Sequence, residues 1–202
     1  IDSSFLDISN IGNYSSKIKM ILDNIKTSSG IVFIYSQFIW GGLIPLSMAL
    51  EYNGYSNYNG DLLNIPDKKP KNGSNYIIIS GDKDLSQKTY EKYINIEPDN
   101  VNGDKVKIIL GSETAAEGLD FKYIREVHVL DPWYHLNKIE QIIGRGIRYC
   151  SHIKLPIKDR NVSIYMYASI KSNNPSKDIE TVDLKIYRDA ENKSIKMGNV
   201  EY

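Results

Sequence analysis

The chain reads as an α/β domain whose sheet is mostly parallel and carries helices on both faces. Three observations predict this. Runs such as Ile31-Val-Phe-Ile-Tyr35 and Tyr76-Ile-Ile-Ile79 are apolar throughout, without the in-out alternation of a half-exposed strand. They alternate with segments whose apolar residues recur at helical spacing. At 202 residues and 41% hydrophobic content, the chain is long enough for one large core.

The elements follow in order. Ile18, Ile21, Leu22 and Ile25 mark a helix over Tyr14 to Lys26, which Gly30 stops before the first buried strand. Leu43 to Tyr52 reads as a helix. Ser56 to Asn75 is polar, with Pro66, Pro70 and many Asn and Lys, so it reads as a loop or insertion. Tyr76 to Ile79 is a strand and Leu85 to Ile94 a helix. Val106 to Leu110 and Glu126 to Leu130 are strands, and Leu136 to Ile147 is a helix. Val162 to Ala168 alternates as a strand, Lys171 to Lys177 is a polar break, and Ile179 to Lys193 is a last helix. This divides the chain into a helical lead-in over 1–29, a main lobe over 30–170 with an insertion near 56–75, and a helical extension over 171–202. There is no internal repeat. In such sheets ligands bind beyond the carboxyl ends of the strands, and the polar content after Leu110 and Leu130 points to that edge.

Composition narrows the function classes. Formal charge is +0, so no whole-domain basic signature marks nucleic acid, and any polyanion contact must be local. The single cysteine, Cys150, excludes an internal disulfide and a cysteine-rich metal site, and suits a reducing, intracellular compartment. No run spans a bilayer or forms a signal peptide, so no membrane partner is expected. His135 and His152 lack partners at metal spacing, so no metal ligand is assigned. His128, inside an apolar strand, reads as a satisfied core residue. Heavy use of Ile, Asn, Lys and Tyr suggests an AT-rich genome.

The most informative stretch is Gln141-Ile-Ile-Gly-Arg145-Gly-Ile-Arg148, shortly after Glu117-Gly118-Leu119-Asp120. Arginines three apart share a helical face. A rigid guanidinium pair with a glutamine one turn upstream suits the spread charge of a phosphoryl group in transfer. Gly118 permits close backbone approach, small neighbours leave amides accessible to phosphate, and Asp120 offers acceptors to a ribose hydroxyl.

The arginine stretch resembles motif VI of superfamily 2 helicases and translocases, and the Gly-Leu-Asp resembles their motif V. Ile31 to Tyr35 with Ser36-Gln37-Phe38 resembles motif IV of the Snf2-like branch. Ile77-Ile-Ile-Ser-Gly81 resembles the next strand and its glycine, and Leu130-Asp131-Pro132-Trp133 the entry to motif VI. The likeness covers Gly30 to Ala168. It implies the second RecA-like lobe, a three-layer sandwich. A narrower likeness, through Tyr149-Cys-Ser-His152, Leu155-Pro156, Arg160-Asn-Val and the tail from Val182, is to helicases of large DNA viruses. These include the poxvirus nucleoside triphosphatase I and the early transcription factor small subunit.

The resemblance implies roles residue by residue. Arg145 and Arg148 match arginine fingers reaching the γ-phosphate, and Gln141 the polar residue near it or the attacking water. Gly118 and Asp120 match the nucleotide edge. Ser36, Gln37, Gly81 and Ser112 match positions along the nucleic-acid backbone. It further implies ATP with Mg²⁺, an N-terminal RecA-like lobe of the same polypeptide, nucleic acid with DNA ahead of RNA, and transcription machinery. The location it implies is the host cytoplasm or the virion. Two departures stand out. Glu117 occupies a place where some relatives are basic or small, and motif VI lacks the His-Arg opening of the DEAD-box branch. No Gly-x-x-x-x-Gly-Lys-Ser/Thr occurs, nor an Asp-Glu box at a strand end, so the triphosphate cradle and Mg²⁺ ligands belong to the first lobe. The chain alone is therefore expected to be inactive. The competing expectations are a degenerate lobe serving as a docking module, and a duplex-unwinding helicase instead of a translocase.

Overall fold

The computed structural model describes residues 3–65, 75–86, 88–113, 119–170 and 180–199. Six strands form one parallel sheet: β1 (Ile31–Tyr35), β2 (Ser56–Asn57), β3 (Asn75–Ile79), β4 (Ile108–Gly111), β5 (Ile124–Val129) and β6 (Ser163–Met166). Their order is β2-β3-β4-β1-β5-β6, with every pairing parallel. The apolar runs lie at its centre: all five residues of β1 and all four of β4 are buried. Continuous apolar sequence is what a strand covered on both faces requires.

Alternate residues of β1 feed two cores. Val32 and Ile34 meet α1 (Ser16–Thr27) and α2 (Ile44–Tyr52) through Ile21, Leu22, Leu46 and Leu50. Phe33 and Tyr35 meet α4 (Thr89–Ile96) and α5 (Leu136–Gly146) through Tyr93, Ile139 and Ile142. Each fully buried large apolar side chain contributes about 1.5–3 kcal/mol, so the central strand anchors both layers. The three-layer α/β sandwich expected from the sequence is the one observed.

Local differences have identifiable causes. The helix expected over Leu85 to Ile94 is two pieces, α3 (Lys83–Ser86) and α4, with Lys88 left-handed at φ 54°. The Ser86 hydroxyl donates to the carbonyls of Ser80 and Asp82 at 2.6 and 2.9 Å, tying α3 to the turn after β3. The segment expected as a loop from Ser56 contributes the edge strand β2. The fully buried Glu51 carboxylate of α2 accepts the Leu62 and Leu63 amides at 2.8 and 2.7 Å and the Tyr76 hydroxyl at 2.5 Å. Residues 66–74 of that segment, and the polar break at 171–177, lie outside the described residues. The last helix, α6, runs Val182–Gly198.

Among the described residues no helix is long and apolar enough to cross a membrane, and no three His, Cys, Asp or Glu side chains cluster as metal ligands. His128 is fully buried and satisfied. Its Nδ1 lies 2.7 Å from the Tyr167 hydroxyl and its Nε2 3.0 Å from Glu126. The Tyr167 hydroxyl also accepts from Asn24 at 3.1 Å, which ties the group to α1.

Candidate functional site

The predicted site residues fall into two groups at different places on the sheet. Helix α5 starts beyond the carboxyl end of β5 and runs back along the face shared with α4. Eleven residues carry it roughly 16 Å. Its end therefore lies alongside the first half of β5: a Cβ on Gly146 would stand 2.6 Å from Val127 Cγ2 and 3.1 Å from Ile124 Cγ2. Glycine lets the helix sit this close to the strand, which fixes the neighbouring arginines against the sheet.

Arg145 Nη1 donates to the Leu119 carbonyl at 3.1 Å. Arg148 Nε lies 3.1 Å from Asp120 Oδ1, with the two side chains 41% and 50% exposed. Asp120 precedes Phe121, which packs on Phe33 with ring centroids 5.2 Å apart and is also edge-on to Tyr90 and Tyr93. That aromatic anchor holds the Leu119-Asp120 turn beside the end of α5. Both arginines and Asp120 thus gather on one accessible face. An exposed pair of this kind is worth only about 0.2–1 kcal/mol, so Arg148 and Asp120 are readily separated. Gln141 is exposed one turn earlier on α5. Gly118 and Glu117 lie outside the described residues.

The second group stands at the carboxyl edge. The connection after β1 leads to α2 on one face and that after β5 to α5 on the other, so their ends diverge into a crevice at a switch point. Ser36 is fully buried there. Its hydroxyl donates to the Asp131 carboxylate and accepts the Phe38 amide at 3.1 Å. Gln37 Nε2 donates to the Pro132 carbonyl at 3.2 Å. These bonds staple the β1 turn to the β5 turn. Ser112 is buried, its amide bonded to the Ile79 carbonyl at 3.0 Å, and Gly81 is exposed at the end of β3. A single edge for all predicted residues is therefore not what the fold provides. The arginine group sits on the α4/α5 face, because a helix that follows a strand must run back past it.

Some residues of the site have no signal in a linear reading. The Leu119 carbonyl and the Phe121 anchor emerge only from packing. Asp131 stood in a recognised segment without a role, yet it holds Ser36. Burial pushes its carboxyl above the usual range, against the Ser36 hydrogen bond. Gly42 is required by the same bond, since a Cβ there would collide with the Ser36 hydroxyl.

Residues 46–150 match the helicase conserved C-terminal domain family. The chain belongs to that family and is the C-terminal lobe of a superfamily 2 helicase. It is similar to an Acanthamoeba polyphaga mimivirus protein carrying the name of an ATP-dependent RNA helicase, at 37% identity over 169 residues, covering 82% of this chain and 28% of that protein. It is similar also to the termination factor NPH-I homolog of African swine fever virus, isolate Tick/Malawi, at 34% identity over 191 residues, 78% of this chain and 26% of the relative. The chain thus spans little more than a quarter of the length of these relatives. Among solved structures the C-terminal part of the Fun30 ATPase domain shares the fold, with a TM-score of 0.58 at 18% identity, over 87% of this chain and 45% of that one.

Proposed function

We propose that this helicase lobe is the C-terminal half of an ATP-dependent helicase or translocase that acts on nucleic acid, DNA in preference to RNA, in viral transcription or replication. The observation that carries the reading is the grouping of Arg145, Arg148 and Asp120 on one accessible face, supplied by two separate elements. The triphosphate and its Mg²⁺ are held mainly by a first lobe, and closure of the two lobes brings this face onto them.

The roles follow from the chemistry of the side chains. Arg145 is held in place from its Leu119 side and reaches the γ-phosphate as a finger. Arg148 exchanges Asp120 for phosphate oxygens, because charge-assisted guanidinium–phosphate bonds are stronger than a solvent-screened surface pair. The exchange frees the Asp120 carboxylate to accept a ribose hydroxyl beside Gly118. One event thus couples phosphate contact to sugar contact. Gln141 orients the attacking water from the same helix. The nucleic acid crosses the carboxyl edge, guided by Gln37, Gly81 and the backbone near Ser112, with Ser36 acting from inside as the staple of the β1 turn. Contacts are mainly to phosphates, so binding is salt-dependent and weak in sequence preference.

The test is Arg148→Ala in the full-length protein. ATP binding is retained, while nucleic-acid-stimulated hydrolysis falls by ~10³-fold or more, the value of an arginine finger. Unchanged turnover removes the finger role.

A further inference from the structure

Beyond the recognised motifs, α6 does something the matched family segment does not account for: it lies outside residues 46–150 and closes a cleft against α5. We infer that the α5/α6 cleft grips the phosphodiester backbone of nucleic acid, extending the track beyond the motif loops. The inference rests on the nucleic-acid reading above.

The cleft holds about 440 Å³, room for a sugar-phosphate unit, and among the described residues no carboxylate lines it. Against a strand its walls offer Lys138, Lys193 and the His135 imidazole, beside apolar Trp133, Leu136 and the buried Ala190. Each ammonium is parked on an aromatic ring. Lys138 Nζ lies 5.9 Å from the Trp133 ring centroid and Lys193 Nζ 6.0 Å from that of Tyr134. Lys193 comes from α6 and Lys138 from α5, so both walls are cationic. In a chain of formal charge +0 such a pairing is a local positive patch, and its complement is a polyanion. Lys138 also touches Glu113 at 3.2 Å, and its side chain is only 13% exposed, so Lys193 is the more open of the two cations. Lys193 reaches the Tyr134 carbonyl at 3.4 Å, a long bond that a phosphate oxygen replaces. The cleft opens beside Trp133 and Tyr134, immediately after the β5 turn that carries Asp131 and Pro132. It is therefore continuous with the carboxyl edge along which the strand is proposed to run.

The experiment is fluorescence anisotropy of the chain with labelled single-stranded and duplex DNA across roughly 50–200 mM salt. The variants are Lys193→Ala, Lys193→Arg and the control Lys26→Ala at the far end of α1. Lys193 is exposed, so its truncation leaves the fold intact. The expected result is weaker binding by Lys193→Ala, with the slope of log K against log salt reduced by about 0.7 for the single strand or 0.9 for the duplex. The form showing the reduction identifies which DNA occupies the cleft. Lys193→Arg and Lys26→Ala keep the wild-type slope. Binding by Lys193→Ala that matches wild type in affinity and slope overturns the cleft while leaving nucleic-acid binding intact. An equal loss in Lys26→Ala overturns it as well, by reducing the effect to net charge. No binding by the wild-type chain removes both the cleft and the nucleic-acid reading of this lobe.

Discussion

At the scale of single residues, the arginine group depends on side chains that never touch a ligand. Gly146 is the sharpest case, because its missing Cβ is the space into which Val127 and Ile124 project. We expect Gly146→Ala to cost about 1–3 kcal/mol by overpacking, read as a lower denaturation midpoint, and to shift Arg145 off the Leu119 carbonyl. An unaltered midpoint refutes the close-packing argument. Glu51 is a buried charge made tolerable by three donors. Glu51→Ala orphans the Tyr76 hydroxyl inside the core, where such a loss costs about 1–3 kcal/mol. The burial of that phenol, beside the Glu51 charge, already drives its ionisation far above the ordinary tyrosine range. Urea denaturation checks the loss, and a Tyr76→Phe change made together with Glu51→Ala recovers part of it, since no donor is then stranded.

At the scale of elements, two linkages carry the arrangement. The first ties β5 to β6 and α1 through Glu126, His128, Tyr167 and Asn24. Burial raises the Glu126 carboxyl, but the His128 hydrogen bond, with the Lys107 ammonium nearby, more than reverses it, leaving it below the usual carboxylate range. A depressed folded-state value stabilises above the unfolded value, about 4.3, and that stability is lost as pH falls through the folded value. The melting temperature should therefore drop on acidification below about pH 4.3, and Glu126→Gln should flatten that part of the profile. The second linkage docks α6. Lys17 bridges Asp183 at 2.7 Å and the Leu130 carbonyl at 3.0 Å, so α1 clamps the start of α6 to the β5 turn. Burial opposes the charge on Asp183, while Lys17 and the Ser169 amide favour it and hold its carboxyl low. The stability it contributes declines as pH falls below the unfolded value, about 3.9, toward the lowered folded value, where protonation releases the clamp. Amide exchange of α6 should accelerate there in the wild-type chain, whereas Lys17→Met should show fast exchange at all pH values.

At the scale of the whole molecule, the two groups of predicted residues occupy different places on one sheet. The arginine face lies over the α4/α5 layer, and the stapled turns lie at the carboxyl edge. A displacement of α5 reaches both, because its start adjoins Trp133 and its end carries Arg145. The proposed conversion of ATP energy into movement along a strand would use such a body. It also needs the first lobe, since this sequence has no phosphate-cradling glycine-lysine loop. We expect the chain alone to hydrolyse ATP no faster than buffer, and the full-length protein to do so in response to nucleic acid. Measurable turnover by purified chain, abolished by Arg145→Ala, contradicts the division of labour.

The layer architecture was readable from the linear order of residues. Strands such as Ile31 to Tyr35 are apolar at every position, and α1 repeats its apolar residues at helical spacing; both patterns are local consequences of period and burial. The arginines and Asp120 stood out as residue types, but the helix expected to carry both arginines on one face ends at Gly146, so Arg148 lies past its end and meets Asp120 from the following turn. Other features depended on neighbours distant in the chain. Lys88 breaks a helix with no glycine or proline to announce it, because Ser86 is bound back to Ser80. Ser56 and Asn57 become a strand because β3 offers an open edge and Glu51 fastens the loop behind them. The distance between the arginine face and the carboxyl edge follows from the length and direction of α5. The joining of Ser36 to Asp131, and of Lys193 to Tyr134, brings together groups 95 and 59 residues apart. Periodicity reports which way a side chain faces. Only the packed sheet decides what it meets there.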